Sequence, residues 1–285
     1  MLTPAYIQKK VREALQEDNY RRDITSKLCV SRNHRSEAKI VAREACVLCA
    51  ASIAQTVFKS VDPSLKVILL KKDGQNIKAG TTILTIRGRT ALILTAERTA
   101  LNFLGYLSGI TTLTRKYVKQ IKPLRTKILD TRKTTPTLRY FERYAVRCGG
   151  GGNHRLDLSE MALIKDNHHA VYDNFQEINQ AVRDFKQKEQ RTLIEVEVTN
   201  LKQFRDVVKS GPDMVLLDNM TLSDMKKAVG INQKRRGPKI LLEASGGITL
   251  TNIKAVARTG VDRISVGALT HSAVNVNFSM DIKPL

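Results

Sequence analysis

From residue 127 to residue 266 the chain repeats one pattern: a short apolar run, a polar turn, then a stretch with helical period. The apolar runs fall at 127–129, 162–164, 193–198, 214–217, 240–242 and 263–266. Helical periodicity falls between them at 138–147, 171–188, 201–209, 223–229 and 251–258. In the second helical stretch Phe175, Ile178, Ala181, Val182 and Phe185 recur at three- and four-residue spacing, which puts them on one face. Strand–helix–strand units connect by right-handed crossovers, so this pattern predicts a parallel sheet. No run reads as an edge strand, and closure toward a barrel is the natural solution.

The residues before this stretch follow a different rhythm. Residues 4–17 read as a helix with Pro4 in its first turn and Ile7, Val11, Ala14 and Leu15 on one face. Residues 37–43 alternate as a strand, 46–61 run from strand into helix, and 65–70 and 82–86 are β-rich. No βαβ repeat appears, so a small mixed α/β domain is expected. Residues 90–122 form a long apolar helical stretch in which Gly109 reads as a break. The expected division is therefore an N-terminal domain over 1–109, joined by a C-terminal strand over 272–285, and a barrel domain over 110–271.

The polar residues of the repeating part collect at one end of its strands. Asp130-Thr131-Arg132-Lys133, Lys165-Asp166-Asn167-His168, Glu195 and Glu197, Asp218, Glu243 through Gly247, and Gly267 all lie on or after a strand. The C-terminal strand ends are the face on which α/β barrels build active sites. Residues 130–168 hold seven cationic side chains (Arg132, Lys133, Arg139, Arg143, Arg147, Arg155, Lys165), the run Gly149–Gly152, and His154. That set suits a small, strongly anionic ligand. The glycine run reads either as a plain linker or, with Asn153-His154-Arg155 directly after it, as a mobile binding loop. Glu195 and Glu197 share a strand face and suit a Mg²⁺ complex or ligand hydroxyls. Ser245-Gly246-Gly247 and Gly267 offer backbone N–H groups close to helix starts, as a phosphate cradle does, although glycines also serve ordinary turns. Cys46 and Cys49 have metal-like spacing but apolar neighbours and no second pair, which favours core thiols. His34 and His271 stand isolated.

The formal net charge is +21. It fits a nucleic-acid binder, a cleft that attracts a polyanionic substrate, or a solvated basic surface. Aromatic content of 5% with no Trp leaves little for base stacking, which disfavours nucleic acid. No run approaches the ~18 apolar residues of a membrane span. Four cysteines and an N-terminus without a cationic, apolar leader point to a reducing, cytoplasmic location.

Several motifs together resemble the nicotinate-nucleotide pyrophosphorylase (quinolinate phosphoribosyltransferase) family. They are Asp23-Ile24-Thr25-Ser26, Glu97-Arg98-Thr99-Ala100-Leu101-Asn102, Leu107-Ser108-Gly109-Ile110, Asp130 to Lys133, Asn153 to Arg155, Lys165 to His168, Glu195 to Val198, Leu217 to Met220, Leu242 to Gly247 and Ser265 to Thr270. They cover nearly the whole chain in order. The resemblance implies a small N-terminal α/β sandwich plus an incomplete α/β barrel of about six strands, of the type II phosphoribosyltransferase kind. It implies the reaction of quinolinate with phosphoribosyl pyrophosphate (PRPP) to give nicotinate mononucleotide, pyrophosphate and CO₂, in de novo NAD synthesis. It places quinolinate on Arg98, Arg132, Lys133, His154, Arg155 and Lys165, with Arg98 supplied by a neighbouring subunit of a dimer or larger homo-oligomer. It places PRPP on Lys133, Glu197, Asp218, Ser245, Gly246, Gly247 and Gly267, with Mg²⁺ bound through PRPP near Glu197 and Asp218. Lys133, Lys165, Glu197 and Asp218 would then carry the catalytic charge. The molybdenum-transport-associated relative of the family is the alternative, and a basic nucleic-acid binder a more distant one. Thr137 and Asp157 depart from the family pattern, which often has Gly at both places.

Overall fold

The computed structural model describes residues 2–285 and divides the chain into two compact units. One comprises the residues up to Arg115, Thr135–Gly150 and Ser272–Leu285; the other comprises Lys116–Thr134 and Gly151–His271.

The first unit begins with α1 (Pro4–Glu17), α2 (Ile24–Cys29) and β1 (Arg35–Ala42). It continues through β2 (Cys46–Val47), α3 (Ala51–Val61), β3 (Lys66–Leu69), β4 (Asn76–Ile77), β5 (Thr82–Arg89) and most of α4 (Thr90–Ile121). Thr3 starts α1 by accepting from the Tyr6 amide at 3.2 Å, and Pro4 takes the first turn where a missing N–H costs nothing. Val11 and Leu15 are the buried residues of its inner face. Along β1 the alternation is clear: Ala38, Ile40 and Ala42 are fully buried while Lys39 is exposed. The main sheet has the order β12-β1-β5-β3, with β12 (Phe278–Pro284) antiparallel to β1 and Ala38 opposite Ile282.

The break expected at Gly109 is absent, and α4 runs unbroken for 32 residues. A Cβ at Gly109 would lie 2.2 Å from the Val274 carbonyl oxygen, and one at Gly105 would lie 2.9 Å from that of Val276. Both glycines let the C-terminal segment cross against the helix, where the Val276 amide donates to the Gly105 carbonyl at 3.0 Å. Residue type alone reads as a helix breaker what is in fact a packing contact.

The second unit is a six-stranded parallel sheet: β6 (Lys127–Leu129), β7 (Met161–Ile164), β8 (Leu193–Val198), β9 (Met214–Asp218), β10 (Leu241–Ser245) and β11 (Arg263–Ser265). Its order is β6-β11-β10-β9-β8-β7, so the first and last strands of the unit pair while the first and second do not. That is a barrel left open between β6 and β7, and it bears out the expected fold class. The gap is partly bridged by Gly152, which makes a parallel bridge to Leu129. The strands are connected by α5 (Arg139–Gly149), which clusters with the first unit, and by the short α6 (Asp166–His169), α7 (Phe175–Lys188), α8 (Leu201–Val207), α9 (Leu222–Lys234) and α10 (Ile253–Ala257); α11 (Ala268–His271) follows β11. Asn174, Asn200 and Thr221 cap α7, α8 and α9 through side-chain oxygens, which is why α7 starts at Phe175 and not at 171. Ile194, Val196, Val198, Val215, Leu217, Ala244 and Ile264 are all at most 1% exposed and form the layer under the helices.

The Gly149–Gly152 run carries the chain from the first unit to the second between Gly150 and Gly151, but its two ends are packed. A Cβ at Gly149 would meet Thr114 at 2.5 Å, and one at Gly152 would meet Leu129 at 2.7 Å. Each is pinned against a neighbouring element, and in each case only the absence of a side chain permits the approach.

Candidate active site

The strand ends of the second unit surround a cleft of about 770 Å³. Eleven of the twelve residues expected at the site line it: Arg132, Lys133, His154, Arg155, Lys165, Glu197, Asp218, Ser245, Gly246, Gly247 and Gly267. Arg98 does not; it is exposed on α4 in the first unit. Glu195 does not line the cleft either. It is fully buried one step deeper on β8, so the expected pairing of Glu195 and Glu197 around one ligand does not occur.

One side of the cleft is cationic. Asp130, fully buried at the end of β6, anchors the adjoining loop by accepting from the Asn153 side chain at 2.6 Å and from the His154 amide at 2.7 Å. This sets Arg155 beside Arg132. Burial first, and then the Arg132 charge, lower the Arg155 pKa, while Glu195 opposes them. Arg155 donates from Nη1 to the Met161 carbonyl at 2.9 Å, yet the buried Nε atoms of both arginines have no hydrogen-bond partner. Two guanidinium groups held together with donors to spare favour an anion between them. Across the cleft, Lys165 Nζ lies 3.5 Å from Glu197. Burial is the largest effect on Glu197 and raises its pKa; Lys165 lowers it and Asp218 raises it.

His154 reaches below the floor. Its Nε2 lies 3.1 Å from Glu195 and 3.3 Å from Glu243. Burial alone would lower the pKa of the ring, but the two carboxylates outweigh it and hold it up at about 10. The Arg155 amide nevertheless donates to Nδ1 at 2.7 Å, so that nitrogen is an acceptor and the ring hydrogen sits on Nε2. Burial, and then the Glu243 charge, raise the Glu195 pKa, while His154 opposes them. The same tautomer argues against a metal ion here, although the three ligand atoms lie within 4.8 Å of one another, because Nε2 has no lone pair to give. Cys49, Asp73 and Cys148 form a second cluster of that size in the first unit. Asp73 is already occupied there, accepting from the Ala50 and Ala51 amides at the start of α3 and from the Tyr144 hydroxyl. Cys46 is buried, and burial pushes its thiol up to about 11.

The remaining side of the cleft is backbone. Ser245, Gly246 and Gly247 leave β10, but α10 begins only at Ile253, so any N–H groups offered there belong to a loop and not to a helix terminus. Gly246 has φ +87, and a Cβ on it would fall 2.2 Å from Asn219 Oδ1. Asn219 itself donates to Asp218 at 2.7 Å. Thr270 ties the far rim by donating to the Lys133 carbonyl at 2.7 Å. Asn219 and His271 also line the cleft. His271 has a sequence signal of its own: it follows Gly267 by one helical turn, and a Cβ at Gly267 would meet its Nε2 at 3.0 Å.

Fold and cleft together define a class: an incomplete α/β barrel whose strand ends gather arginines and lysines on one side and carboxylates with glycine backbone on the other. The chain matches the family profiles described as Quinolinate phosphoribosyl transferase, N-terminal domain, over residues 23–108 and C-terminal domain over residues 110–281. It is 39% identical over 277 residues to the nicotinate-nucleotide pyrophosphorylase (carboxylating) of Mycobacterium leprae, covering 95% of each chain. It is 38% identical to the probable nicotinate-nucleotide pyrophosphorylase (carboxylating) of Bacillus subtilis, covering 97% of this chain and 93% of that one. The solved nicotinate-nucleotide pyrophosphorylase from Francisella tularensis superposes with a TM-score of 0.92 at 39% identity, over 99% of this chain and 98% of that one. The chain belongs to the quinolinate phosphoribosyl transferase family.

Proposed function

We propose that this protein is a pentosyltransferase of de novo NAD biosynthesis that joins quinolinate to PRPP and releases nicotinate mononucleotide, pyrophosphate and CO₂. The observation that carries this reading is the Arg132–Arg155 pair with its unpartnered buried Nε donors. Two adjacent carboxylates on one ring match two guanidinium groups better than a single carboxylate does. Lys133 and Lys165 complete the cationic side, with the His154 ring beside them. On the other side Glu197 and Asp218 would face the ribose and hold Mg²⁺ brought with PRPP; hard oxygen donors at a cleft fit that ion, whose chemistry there would be to make pyrophosphate a better leaving group. Ser245, Gly246, Gly247 and Gly267 hold the 5-phosphate. The pyridine nitrogen attacks ribose C1 as pyrophosphate departs. The resulting pyridinium ring draws the electrons of the adjacent carboxylate, and CO₂ leaves. No side chain acts as a nucleophile. The protein positions two substrates and stabilises developing charge.

The active unit in this reading is a homodimer or a larger homo-oligomer in which Arg98 of one copy serves the cleft of another. Its exposure on α4 supports this, as do Ile24 and Leu28, 78% and 86% exposed one helical turn apart on α2. Equal mixing of Arg98→Ala and Lys165→Ala chains, each inactive alone, then restores about a quarter of the wild-type activity through mixed dimers with one intact site. No restoration after verified subunit exchange refutes the sharing. The free cysteines fit a reducing compartment such as the cytoplasm.

The deciding assay supplies quinolinate, PRPP and Mg²⁺ and follows CO₂ and nicotinate mononucleotide. Product from nicotinate but none from quinolinate would overturn the assignment.

A further inference from the structure

At the floor of the cleft are two side chains that the proposed chemistry never touches, one reaching its lining (Glu243) and one beneath it (Glu195). Glu195 on β8 and Glu243 on β10 are both fully buried, and their strands are separated in the sheet by β9. Apart from the contacts to the His154 ring, none of their four carboxylate oxygens has a hydrogen-bond donor. Stripping a carboxylate of water without hydrogen bonds is among the most costly arrangements a protein interior holds. Apolar residues of the same size would satisfy packing at less cost. Such a pair calls for a role other than stability, and both carboxylates converge on one atom, His154 Nε2, at 3.1 and 3.3 Å.

What they hold is a short relay. The other ring nitrogen of His154 accepts from the Arg155 amide at 2.7 Å, and the His154 amide donates to Asp130 at 2.7 Å. The ring is thus gripped at both nitrogens, from below by two strands and from the side by the next peptide. Rotation of the ring would release the Arg155 amide and with it the backbone from which the Arg155 guanidinium enters the cleft. We propose that Glu195 and Glu243 are positioning residues for the anionic substrate: by clamping His154 they fix the Arg155 peptide, and so the guanidinium, in its binding geometry. This rests on the reading that Arg155 binds a dicarboxylate. The contribution of the glutamates lies in reach, an acceptor oxygen delivered to Nε2, and not in charge added to the cleft.

Reach and charge are separable at Glu195, which does not line the cleft. Glu195→Asp keeps the charge and withdraws the oxygen by one methylene. Glu195→Gln keeps the reach and removes the charge. Steady-state kinetics with each substrate varied in turn should show the quinolinate KM of Glu195→Asp raised on the order of tenfold to a hundredfold, with the PRPP KM close to wild type. Glu195→Gln should recover the wild-type quinolinate KM. Nitrogen-15 shifts of the His154 ring should show Nδ1 unprotonated in the wild type and altered in Glu195→Asp. A folded Glu195→Asp variant with an unchanged quinolinate KM overturns the proposal. So does a Glu195→Gln variant as impaired as the Asp variant, or a parallel rise in both KM values with a fall in Tm, which marks a merely structural role. Wild-type turnover of quinolinate is read first and separately, so failure of the functional reading is not confused with failure of this one. If Glu195→Asp does not fold, Glu243→Asp supplies the test of reach, and Glu195→Gln, outside the cleft lining, remains the test of charge.

Discussion

Replacing Gly246 by Ala tests the PRPP side of the cleft with one methyl group. The backbone at Gly246 has φ +87, where an L residue is strained by about 1–3 kcal/mol. The added Cβ would also lie 2.2, 2.4 and 2.7 Å from Oδ1, Cγ and Nδ2 of Asn219, inside any tolerable contact. Asn219 has to swing away. Its own backbone at φ 51 is held by its amide, which donates to the Ser245 carbonyl at 2.9 Å, so the side chain moves rather than the chain. The swing breaks the 2.7 Å bond from Asn219 Nδ2 to Asp218 Oδ2. A hydrogen bond to a charged group contributes about 1.5–3 kcal/mol, and each 1.4 kcal/mol is a factor of about ten. The PRPP KM of Gly246→Ala is therefore expected to rise about tenfold to a hundredfold, while the quinolinate KM stays within about threefold because the arginine side is untouched. Folding stability should fall by about 2 kcal/mol in urea titration. An Asn219→Ala background separates strain from displacement: there the methyl group has no amide to expel, and Gly246→Ala should add little to the PRPP KM while still lowering stability. An unchanged PRPP KM in the single variant, or an equal rise for both substrates, refutes the reasoning.

Arg155→Ala and Lys165→Ala should each lose about 10²–10³-fold in turnover with circular dichroism unchanged, since each removes one preorganised charge and no core packing. Near-normal activity in either would refute its assigned role. Thr137 adopts φ 66, a conformation that is an outlier for a β-branched residue. Thr137→Gly should therefore raise stability by about 1 kcal/mol, the relieved strain exceeding the entropy glycine adds to the unfolded chain; a lower unfolding midpoint would contradict this. Asp23 caps α2, accepting from Ser26 N and Oγ and from Thr95 Oγ1. Burial raises its pKa, but these bonds outweigh burial and leave it lowered. Its stabilising effect is thus present above the ordinary carboxylate pKa of about 3.9 and fades as pH falls through the lower folded value. Asp23→Ala should cost about 1–2 kcal/mol at pH 7, and the gap from wild type should narrow only below about pH 3.9. A gap that does not change with acid points to lost packing instead.

The barrel was legible because its constraint is local. A buried parallel strand needs a short apolar run, and β6 and β8 fall on the residues the runs delimit, 127–129 and 193–198. The cleft was legible for a related reason: residues just past a strand end share one face whatever the details of packing. Most of the misreadings involve contacts distant in sequence. Gly109 stays in α4 because Val274 crosses it, and Gly149 and Gly152 are pinned by Thr114 and Leu129. Spacing alone joined Glu195 to Glu197. Only the depth of β8 separates them, one at the cleft and one under it with His154. Asn219 gave no signal, since its function follows from a φ of 51 and from the glycine it faces.

The net charge of +21 invites the idea of a positive funnel for anionic substrates. The cleft does not bear this out. Its lining holds four permanent cations, Arg132, Lys133, Arg155 and Lys165, and four carboxylates, Asp166, Glu197, Asp218 and Glu243. The surplus therefore lies outside the lining, and net charge does not account for recognition. In the proposed function, segregation of sign does. A dicarboxylate and a magnesium-bound pyrophosphate make opposite demands, and a uniformly basic pocket would hold both and discriminate neither. Here the cations sit where β6, the Gly152 bridge and β7 end, and the carboxylates mainly where β8, β9 and β10 end. The order of strands in the sheet, fixed by the crossover pattern, thus becomes an order of charge across the cleft. Lys165 and Glu197, 3.5 Å apart on neighbouring strand ends, mark the line where the sign changes, and it is along such a line that the ring nitrogen of one substrate has to meet the ribose carbon of the other.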